Sequence, residues 1–393
     1  MQLKHGLHLA YCTNVHPGED WAETLRSLER WTLAIKQRVC PDSPYAIGLR
    51  LSDLASRELA VPETLLAFRR WLDRHNCYVF TINGFPFGRF HGTRIKEQVY
   101  SPDWTDPQRL AYTMRLFDLL AQLVPVGIEG SVSSLPGSFK EFIRVPGQVE
   151  LIRANLWQCV EHIARVSERT GRTLHLGLEP EPLGLFENSA ETAEFFDRMR
   201  EKHPGDSRLD EYLGVNYDTC HFAVEFEEPQ AAVARLQRHG IRLSKIHISN
   251  ALAVRPDPPT LGQLRKFADD VYLHQVIARD NDGSLARYKD LDLALASPLA
   301  HDSSVAPEWR IHFHIPLQSQ LQNGLGTTAS HILGLLALVQ AQPHLCSHLE
   351  METYTWAVLP EPLKTKDVAD QIVAEYAWTL GRLAEFGLAA LGK

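Results

Sequence analysis

Residues 213–250 read as two short strand patterns joined by a helical segment: LGVNYDTCH at 213–221, PQAAVARLQRHG at 229–240 and LSKIHISN at 243–250. Apolar and polar residues alternate in both short runs, which is typical of strands. Pro229 and Gly240 are typical first and last residues of a helix. Because a helix separates the two strands, they are expected to run parallel. The segment is therefore one strand–helix–strand unit of a parallel sheet.

The same unit recurs along the whole chain. The pattern predicts strands at Leu7–Asn14, Tyr45–Ser52, Tyr78–Phe85, Gly127–Ser134, Thr173–Pro180, Leu213–His221, Leu243–Asn250 and Ser347–Trp356. It predicts helices at Asp20–Val39, Pro62–Asn76, Gln148–Thr170 and Asp367–Phe386, and further helices that Asp106 and Asn188 cap. Eight such units favour an α/β fold, a closed (β/α)8 TIM barrel, over an open sheet. No GxGxxG motif follows the first strand, which argues against an open dinucleotide-binding sheet.

The segment between the seventh and eighth strands is too long for a simple connection. Residues 251–326 contain Asp280-Asn-Asp-Gly283 between two strand-like runs, Val271–Arg279 and Ser284–Leu291, which is a hairpin signal. Arg310–Leu317 predicts a further strand. We therefore expect a β-rich insertion on the catalytic rim of a single TIM-barrel domain that spans residues 1–393.

The composition excludes several classes of protein. Forty basic against 48 acidic side chains leave a net charge of −8 in 393 residues, which argues against a nucleic-acid partner. The longest apolar stretch, around Ile332–Val339, is far shorter than the ~20 residues that span a bilayer. The six cysteines form no CxxC motif, and the first residues lack the apolar core of a signal peptide. We expect a cytoplasmic protein without membrane insertion.

Polar side chains occupy the inward positions of the predicted strands. Alternation places apolar residues such as Phe80 and Ile82 toward the helices and polar ones toward the barrel interior. Four ionisable inward residues lie near the carboxyl ends of strands, where barrel active sites form: Glu179, Asp218, His247 and Glu352. Three carboxylates and an imidazole at one place require a cation, and Mn²⁺, Mg²⁺, Co²⁺ or Zn²⁺ suits these ligands. Glu350 lies two residues before Glu352 and faces the same side of the predicted strand, so either carboxylate could be the fourth ligand.

The same residues carry a resemblance to a known superfamily. Leu178-Glu-Pro180, Asp218-Thr-Cys-His221, Lys245-Ile-His247 and Glu352 resemble the strand ends of the xylose-isomerase-like sugar isomerases and epimerases. The resemblance implies that Glu179, Asp218, His247 and Glu352 hold a divalent metal. It also implies that Glu179 and Glu352 form an acid/base pair that moves a proton between adjacent carbons, and that His221 orients a substrate hydroxyl.

A closer resemblance covers nearly the whole chain. The sequence is similar to the EboE family of the bacterial Ebo metabolite-traffic cluster in seven stretches: Tyr11–Glu19, Ile47–Ser52, Phe80–Gly88, Phe90–Thr93, Lys96–Trp104, Pro136–Lys140 and Glu352–Trp356. This resemblance implies a role in trafficking or export of secondary metabolites. It also implies other Ebo cluster proteins as partners, with a homo-oligomer as an alternative.

Several further residues are candidates for substrate binding. Glu181 has the parity of Glu179, and Asn83 and Arg50 lie at the ends of the third and second predicted strands. The aromatic-rich loop Gly84–Trp104 adds His91 and Lys96, and such walls suit a sugar or another hydroxylated small metabolite. Lys96 and Arg50 would also suit a phosphate. In the insertion His312 and His314 alternate, which favours a fifth metal ligand or a substrate contact as much as packing.

The leading hypothesis is therefore a metal-dependent isomerase or epimerase of a sugar or polyol. A non-catalytic metabolite-binding component of an export assembly and a metal-dependent hydrolase are the alternatives. A zinc endonuclease for abasic DNA conflicts with the charge of −8. A retaining glycosidase would need the carboxyl groups of Glu179 and Glu352 ~5 Å apart, which sequence does not test.

Overall fold

Eight parallel strands form the centre of the protein in a computed structural model that describes residues 1–297, 308–322 and 324–389. They are β1 (His8–Tyr11), β2 (Tyr45–Arg50), β3 (Cys77–Asn83), β4 (Gly130–Ser134), β5 (Leu174–Leu178), β6 (Leu213–Asp218), β7 (Arg242–Ile248) and, after five strands of the insertion, β13 (His348–Met351). Their order is β1-β13-β7-β6-β5-β4-β3-β2, and a parallel bridge between Cys12 and Gly48 brings β1 beside β2. The predicted (β/α)8 barrel is confirmed.

Helices follow the strands as the sequence predicts, with some additions. Their bounds are α1 (Trp21–Ser27), α2 (Leu33–Val39), α3 (Asp53–Leu59), α4 (Pro62–Arg74), α5 (Pro107–Leu123), α6 (Pro146–Thr170), α7 (Ser189–Lys202), α8 (Arg208–Tyr212), α9 (Thr219–Val224), α10 (Pro229–Arg238), α11 (Pro258–Leu264), α12 (Leu291–Ala296), α13 (Ala329–Ala341) and α14 (Val368–Glu385). The Asp106 and Asn188 side chains accept backbone hydrogen bonds at the starts of α5 and α7, so both predicted caps are confirmed. No helix among the described residues is long and apolar enough to cross a membrane.

The insertion forms an antiparallel sheet of its own. Its strands are β8 (Leu252–Val254), β9 (Val276–Arg279), β10 (Leu285–Tyr288), β11 (Glu308–Ile311) and β12 (Leu325–Thr327), in the order β10-β9-β11-β8-β12. The predicted hairpin is confirmed as β9 and β10, whereas β11 ends at Ile311, so the predicted strand Arg310–Leu317 is wrong beyond that residue. Trp309 and Phe313 belong to a buried apolar cluster within the insertion. Residues 298–307 and 323 of the predicted insertion lie outside the described residues.

One barrel strand departs from simple alternation. Consecutive residues of β2 pair with Val79 and Thr81, which leaves Phe80 as an extra residue on β3. Such a bulge lets neighbouring side chains face the same side of a sheet. The Phe80 ring packs 4.7 Å from the ring of His348 on β13. The prediction that Phe80 faces the helices with Ile82 is therefore wrong, because it assumed an unbroken strand.

Candidate metal centre

Four buried polar side chains meet at the carboxyl ends of four neighbouring strands. Glu179 directly follows β5, Asp218 ends β6, His247 is the penultimate residue of β7 and Glu352 directly follows β13. One ligand atom from each residue lies within 4.8 Å of those of the other three. All four are buried, and the structure thus brings together the four metal ligands that the sequence predicts.

The imidazole of His247 is the centre of this group. Its Nδ1 lies 3.1 Å from Glu179 Oε1, 3.1 Å from Glu352 Oε2 and 3.5 Å from Asp218 Oδ2. Burial disfavours the charged imidazole, but the charges of Glu352 and Glu179 outweigh burial and raise the pKa of His247 well above its usual range. The group therefore requires positive charge at the point where the four side chains converge.

The carboxylates are held so that one oxygen of each faces this point. Asp218 Oδ1 accepts hydrogen bonds from the backbone of Cys220 and from the Ser249 hydroxyl, at 2.7 and 2.6 Å. Glu352 Oε1 accepts from the Asn14 and Asn83 amides, at 2.8 and 3.0 Å. Asp218 Oδ2 and Glu179 Oε2 accept no hydrogen bond from any described residue.

A buried acceptor atom without a hydrogen-bond partner destabilises the folded protein, and such an atom is free to bind a cation. Carboxylate oxygens together with one imidazole nitrogen form a ligand set that divalent cations such as Mn²⁺ and Zn²⁺ accept. The residues present therefore fit a divalent metal ion.

Glu350 lies behind His247 rather than among the ligands. His247 Nε2 donates to Glu350 Oε2 at 2.8 Å, and Lys245 Nζ donates to the same oxygen at 2.7 Å. Burial opposes ionisation of Glu350, but Lys245 and His247 lower its pKa to about 2. A carboxylate on the second nitrogen of a histidine orients the ring and leaves the first nitrogen to a metal. Of the two inward carboxylates on this strand, Glu352 is therefore the one placed to bind an ion.

A second cluster lies beside these four residues. His221 Nε2 is 3.1 Å from His312 Nε2, and His312 Nδ1 is 3.4 Å from Glu181 Oε1. Burial raises the pKa of Glu181 to about 7. His314 donates from Nδ1 to the backbone carbonyl of Glu352 at 2.9 Å. The insertion thus brings both of its predicted histidines to the metal centre.

The remaining predicted substrate residues already have protein partners. Arg50 donates to the carbonyls of Gly18 and Gly88, and Lys96 Nζ contacts Asp290 Oδ2 at 2.7 Å. His91 Nε2 donates to the backbone carbonyl of Asn14 at 2.6 Å, and Asn83 binds Glu352 as described. His91 therefore supports the loop that carries Asn14, whose amide holds Glu352.

A cavity opens directly above the two clusters. About 520 Å³ of space, part of it open to solvent, lies between its walls. Aromatic and aliphatic side chains form its walls, including Phe85, Phe90, Ile95, Tyr272 and Tyr354, and its polar lining includes Asn83, Lys96, Glu179, Glu181, His221, His312 and Glu352. Apolar walls with a small number of converging polar groups are typical of a small-molecule site.

No protein-family model matches the chain, and no curated protein matches it in sequence. Solved structures do match it in fold. A xylose-isomerase-like TIM-barrel protein from Mycobacterium smegmatis in complex with magnesium has a TM-score of 0.53 at 13% identity, over 97% of each chain. The fold is that of the xylose-isomerase-like TIM barrels. An L-ribulose 3-epimerase has a TM-score of 0.52 at 11% identity, over 98% of this chain and 96% of the other.

Within this xylose-isomerase-like barrel, sequence reasoning missed several supporting residues. Asn14 lies in a short turn after β1, Gln275 lies in an irregular segment and Tyr354 begins a 3-10 helix. The predicted strand patterns extend through all three residues, so their alternation does not give the direction of these side chains. Gln275 accepts a hydrogen bond from His312 Nδ1 at 2.7 Å. Strand alternation did place Lys245 inward, but its pairing with Glu350 depends on the register between β7 and β13.

Proposed function

We propose that this protein is a metal-dependent isomerase or epimerase that moves a proton between adjacent carbons of a hydroxylated small molecule. The observation that carries the proposal is the convergence of Glu179, Asp218, His247 and Glu352, with oxygen atoms that accept no hydrogen bond from a described residue, beside a cavity that Glu179 and Glu352 line. An L-ribulose 3-epimerase shares the fold, which supports a sugar-like substrate. We propose Mn²⁺, Zn²⁺, Mg²⁺ or Co²⁺ as the ion.

The proton transfer would use Glu179 and Glu352 as its two carboxylates. A divalent ion held by the four residues would polarise a substrate carbonyl or hydroxyl and make the adjacent C–H more acidic. Asn14 and Asn83 fix one oxygen of Glu352, so its other oxygen keeps a set direction. Glu179 lines the cavity, and its Oε2 accepts no hydrogen bond from a described residue. One carboxylate would take the proton from carbon and the other would return one.

The cavity favours a neutral substrate over a phosphorylated one. Lys96 is paired with Asp290, and Arg50 is bound by loop carbonyls and lies 3.6 Å from Glu19. A phosphate would have to compete with these partners for both cations. The aromatic walls at Phe90 and Tyr354 suit a sugar ring or another body with apolar faces. We therefore propose an uncharged sugar, polyol or similar metabolite as the substrate, contacted by His221 and Glu181.

Solvent hydrogen exchange tests this proposal without knowledge of the natural substrate. Protein loaded in turn with Mn²⁺, Mg²⁺, Co²⁺ or Zn²⁺ is incubated in ²H₂O with a panel of free ketoses that includes L-ribulose, and deuterium at carbon is followed by NMR. We expect exchange with at least one ketose, and a loss of about 10²–10⁴-fold in Glu179→Gln and in Glu352→Gln. Absence of exchange with every metal and ketose, or wild-type exchange in Glu179→Gln, would contradict the proposal.

The trafficking role implied by the EboE resemblance stays a prediction, as do the Ebo cluster partners, the homo-oligomer and the cytoplasmic location. No family model and no curated protein matches the chain, so neither comparison supports that assignment. Metal-dependent binding of a ketose without exchange would favour the non-catalytic, metabolite-binding alternative. Hydrolysis of an added glycoside or ester would favour the hydrolase alternative.

A further inference from the structure

The insertion contacts the loop after β3 at the edge of the cavity. The backbone oxygen of Val271 accepts hydrogen bonds from the backbone of Ile95 and Lys96, at 2.9 and 3.0 Å. The next residue of the insertion, Tyr272, is buried and lines the cavity. Its backbone donates to Asp269 Oδ1 at 3.0 Å. Tyr272 therefore has a fixed place at the junction between the insertion and the barrel.

The hydroxyl of Tyr272 donates a hydrogen bond to His91. The oxygen lies 3.0 Å from His91 Nδ1, and His91 Nε2 lies 2.6 Å from the backbone oxygen of Asn14. A backbone oxygen only accepts, so Nε2 carries a hydrogen. Burial lowers the pKa of His91 to about 4, so the ring is neutral near pH 7. Nδ1 of the neutral ring is thus an acceptor, and the tyrosine is the donor.

Asn14 extends this series of hydrogen bonds to the metal centre. Its Nδ2 donates to Glu352 Oε1 at 2.8 Å. Burial opposes ionisation of Glu352, but the charge of His247 lowers its pKa, and an ionised carboxylate only accepts. Three hydrogen bonds in sequence therefore connect Tyr272 of the insertion to a carboxylate of the metal centre.

Asn14 depends on such support more than Asn83, the other amide on the same carboxylate oxygen. Asn83 ends β3, where pairing with β2 and β4 fixes its backbone, and its Oδ1 accepts from the backbone of Phe85 at 3.1 Å. Asn14 lies instead in the single 3-10 turn after β1, and its Oδ1 accepts no hydrogen bond from any described residue. The place of the Asn14 amide is thus set by its backbone, to which His91 donates.

We propose that Tyr272 is a positioning residue of the metal centre, which fixes the direction of the Glu352 carboxylate through His91 and Asn14. The inference rests on the proposed function, in which Glu352 is a metal ligand and one of the two proton-transfer carboxylates. It gives the insertion a role beyond covering the cavity, because its contact with the barrel completes the support of this carboxylate. A carboxylate with a fixed direction loses less conformational freedom on binding an ion, so it binds the ion more tightly.

A double-mutant cycle on metal affinity tests this role. Tyr272→Phe removes the hydroxyl and keeps the ring, Asn14→Ala removes the amide that holds Glu352, and a third variant combines both. The affinity of each chelator-stripped protein for Co²⁺ is measured by competition with a metal-binding dye, and circular dichroism checks folding. Asn14→Ser takes the place of Asn14→Ala if the latter does not fold.

We expect Co²⁺ to bind about 10–100-fold more weakly to Asn14→Ala than to the wild type. Tyr272→Phe should lose less, about 3–10-fold, because it acts through two further hydrogen bonds. The double variant should match Asn14→Ala, since the hydroxyl of Tyr272 has no effect once the Asn14 amide is gone. A general loosening of the fold would instead add to the loss in Asn14→Ala.

Tyr78→Phe is the matched control. The Tyr78 hydroxyl also lies 2.8 Å from a histidine Nδ1, that of His8, at the opposite end of the barrel. Its removal should leave the affinity for Co²⁺ unchanged. An equal loss of affinity in Tyr78→Phe and Tyr272→Phe would overturn the positioning role, because it would show a general effect of a lost tyrosine hydroxyl.

The other outcomes separate this inference from the proposed function. Wild-type affinity in Tyr272→Phe, or losses that add in the double variant, would overturn the positioning role and leave the metal centre in place. The expected cycle without hydrogen exchange in any ketose would overturn the proposed isomerase and leave the positioning role in place. A wild type that binds no Co²⁺ would overturn both, because Glu352 would then not be a ligand.

Discussion

Glu350 connects the metal centre to the interior of the barrel. It receives hydrogen bonds from Lys245 and His247 on the neighbouring strand, and both Lys245 and Glu350 are buried. Removal of one partner of a buried ion pair leaves the other charge without compensation. The orientation of the His247 ring therefore depends on the Lys245–Glu350 ion pair, although neither residue lines the candidate substrate cavity.

We expect Glu350→Gln to lower the free energy of unfolding by about 3–5 kcal/mol, because Lys245 is left as a buried, unpaired cation. Adding Lys245→Met should restore much of this loss. Urea unfolding of the two single variants and the double variant measures the coupling. Losses that simply add in the double variant would contradict the pairing.

Strand alternation was sufficient to select Glu179, Asp218, His247 and Glu352 from the sequence. It was not sufficient to choose between Glu350 and Glu352, since residues two apart face the same side and differ only in depth along the barrel. That depth is set by pairing of Glu350 with His247 across the sheet, which a single strand does not reveal.

At the scale of elements, β2 approaches its neighbours so closely that only glycine fits at one position. A Cβ atom on Gly48 would lie 1.8 Å from Glu350 Oε1 and 2.7 Å from the backbone oxygen of Tyr11. Gly48 also forms the bridge to Cys12 that brings β1 beside β2. The barrel therefore closes at the place where the Glu350 carboxylate occupies the interior.

Gly48→Ala is expected to destabilise the protein by about 1–3 kcal/mol, since the added methyl group overpacks this contact. It should also weaken metal binding, because Glu350 must move away from His247. Gly381→Ala in α14 is the matched control: nothing lies within 4 Å of the added Cβ, and a gain of about 0.5–1 kcal/mol is expected. Thermal unfolding measures the stability of both variants. Equal stability of Gly48→Ala and Gly381→Ala would contradict the close contact at Gly48.

Elements with strong local signals were predictable, and those set by tertiary packing were not. The turn Asp280-Asn-Asp-Gly283 and the caps Asp106 and Asn188 act within a few residues, so the sequence contained them in full. The predicted single helix Asp20–Val39 is instead α1 and α2 joined by a π-helical turn at Leu28–Thr32. Helices as short as α9, which Asp218 caps, are too short for a periodic pattern.

Across the whole molecule, buried polar side chains lie at both ends of the barrel interior, beside a small apolar cluster that contains Phe80. The opposite end from the metal centre contains three buried histidines, His8, His175 and His348. Burial lowers the pKa of His8 to about 4 and holds that of His348 well below its usual range. These rings are therefore neutral in the folded protein, where His8 lies 2.8 Å from the Tyr78 hydroxyl and His348 lies 2.8 Å from the Ser131 hydroxyl.

Stability is expected to fall as the pH drops below about 6.5, because the unfolded chain binds protons at histidines that the folded chain keeps neutral. For His8 alone, the loss between pH 7 and pH 5 is about 2 kcal/mol. In His8→Asn the amide takes the place of Nδ1 and does not titrate. The loss of unfolding free energy of this variant between pH 7 and pH 5 should therefore be about 2 kcal/mol smaller than that of the wild type. Urea unfolding at both pH values measures the difference. His5→Asn, at an exposed histidine, should behave as the wild type, and an unchanged pH dependence in His8→Asn would contradict the account.

The metal content of the protein tests the central claim most directly. Wild type, a Glu179→Gln/His247→Ala double variant and the exposed control Glu201→Gln are stripped, reloaded with Mn²⁺ or Zn²⁺, and analysed for bound metal after gel filtration. The four converging ligands predict that the double variant holds one ion per chain fewer than the wild type and the control. Equal metal content in all three proteins would contradict a metal centre at these strand ends.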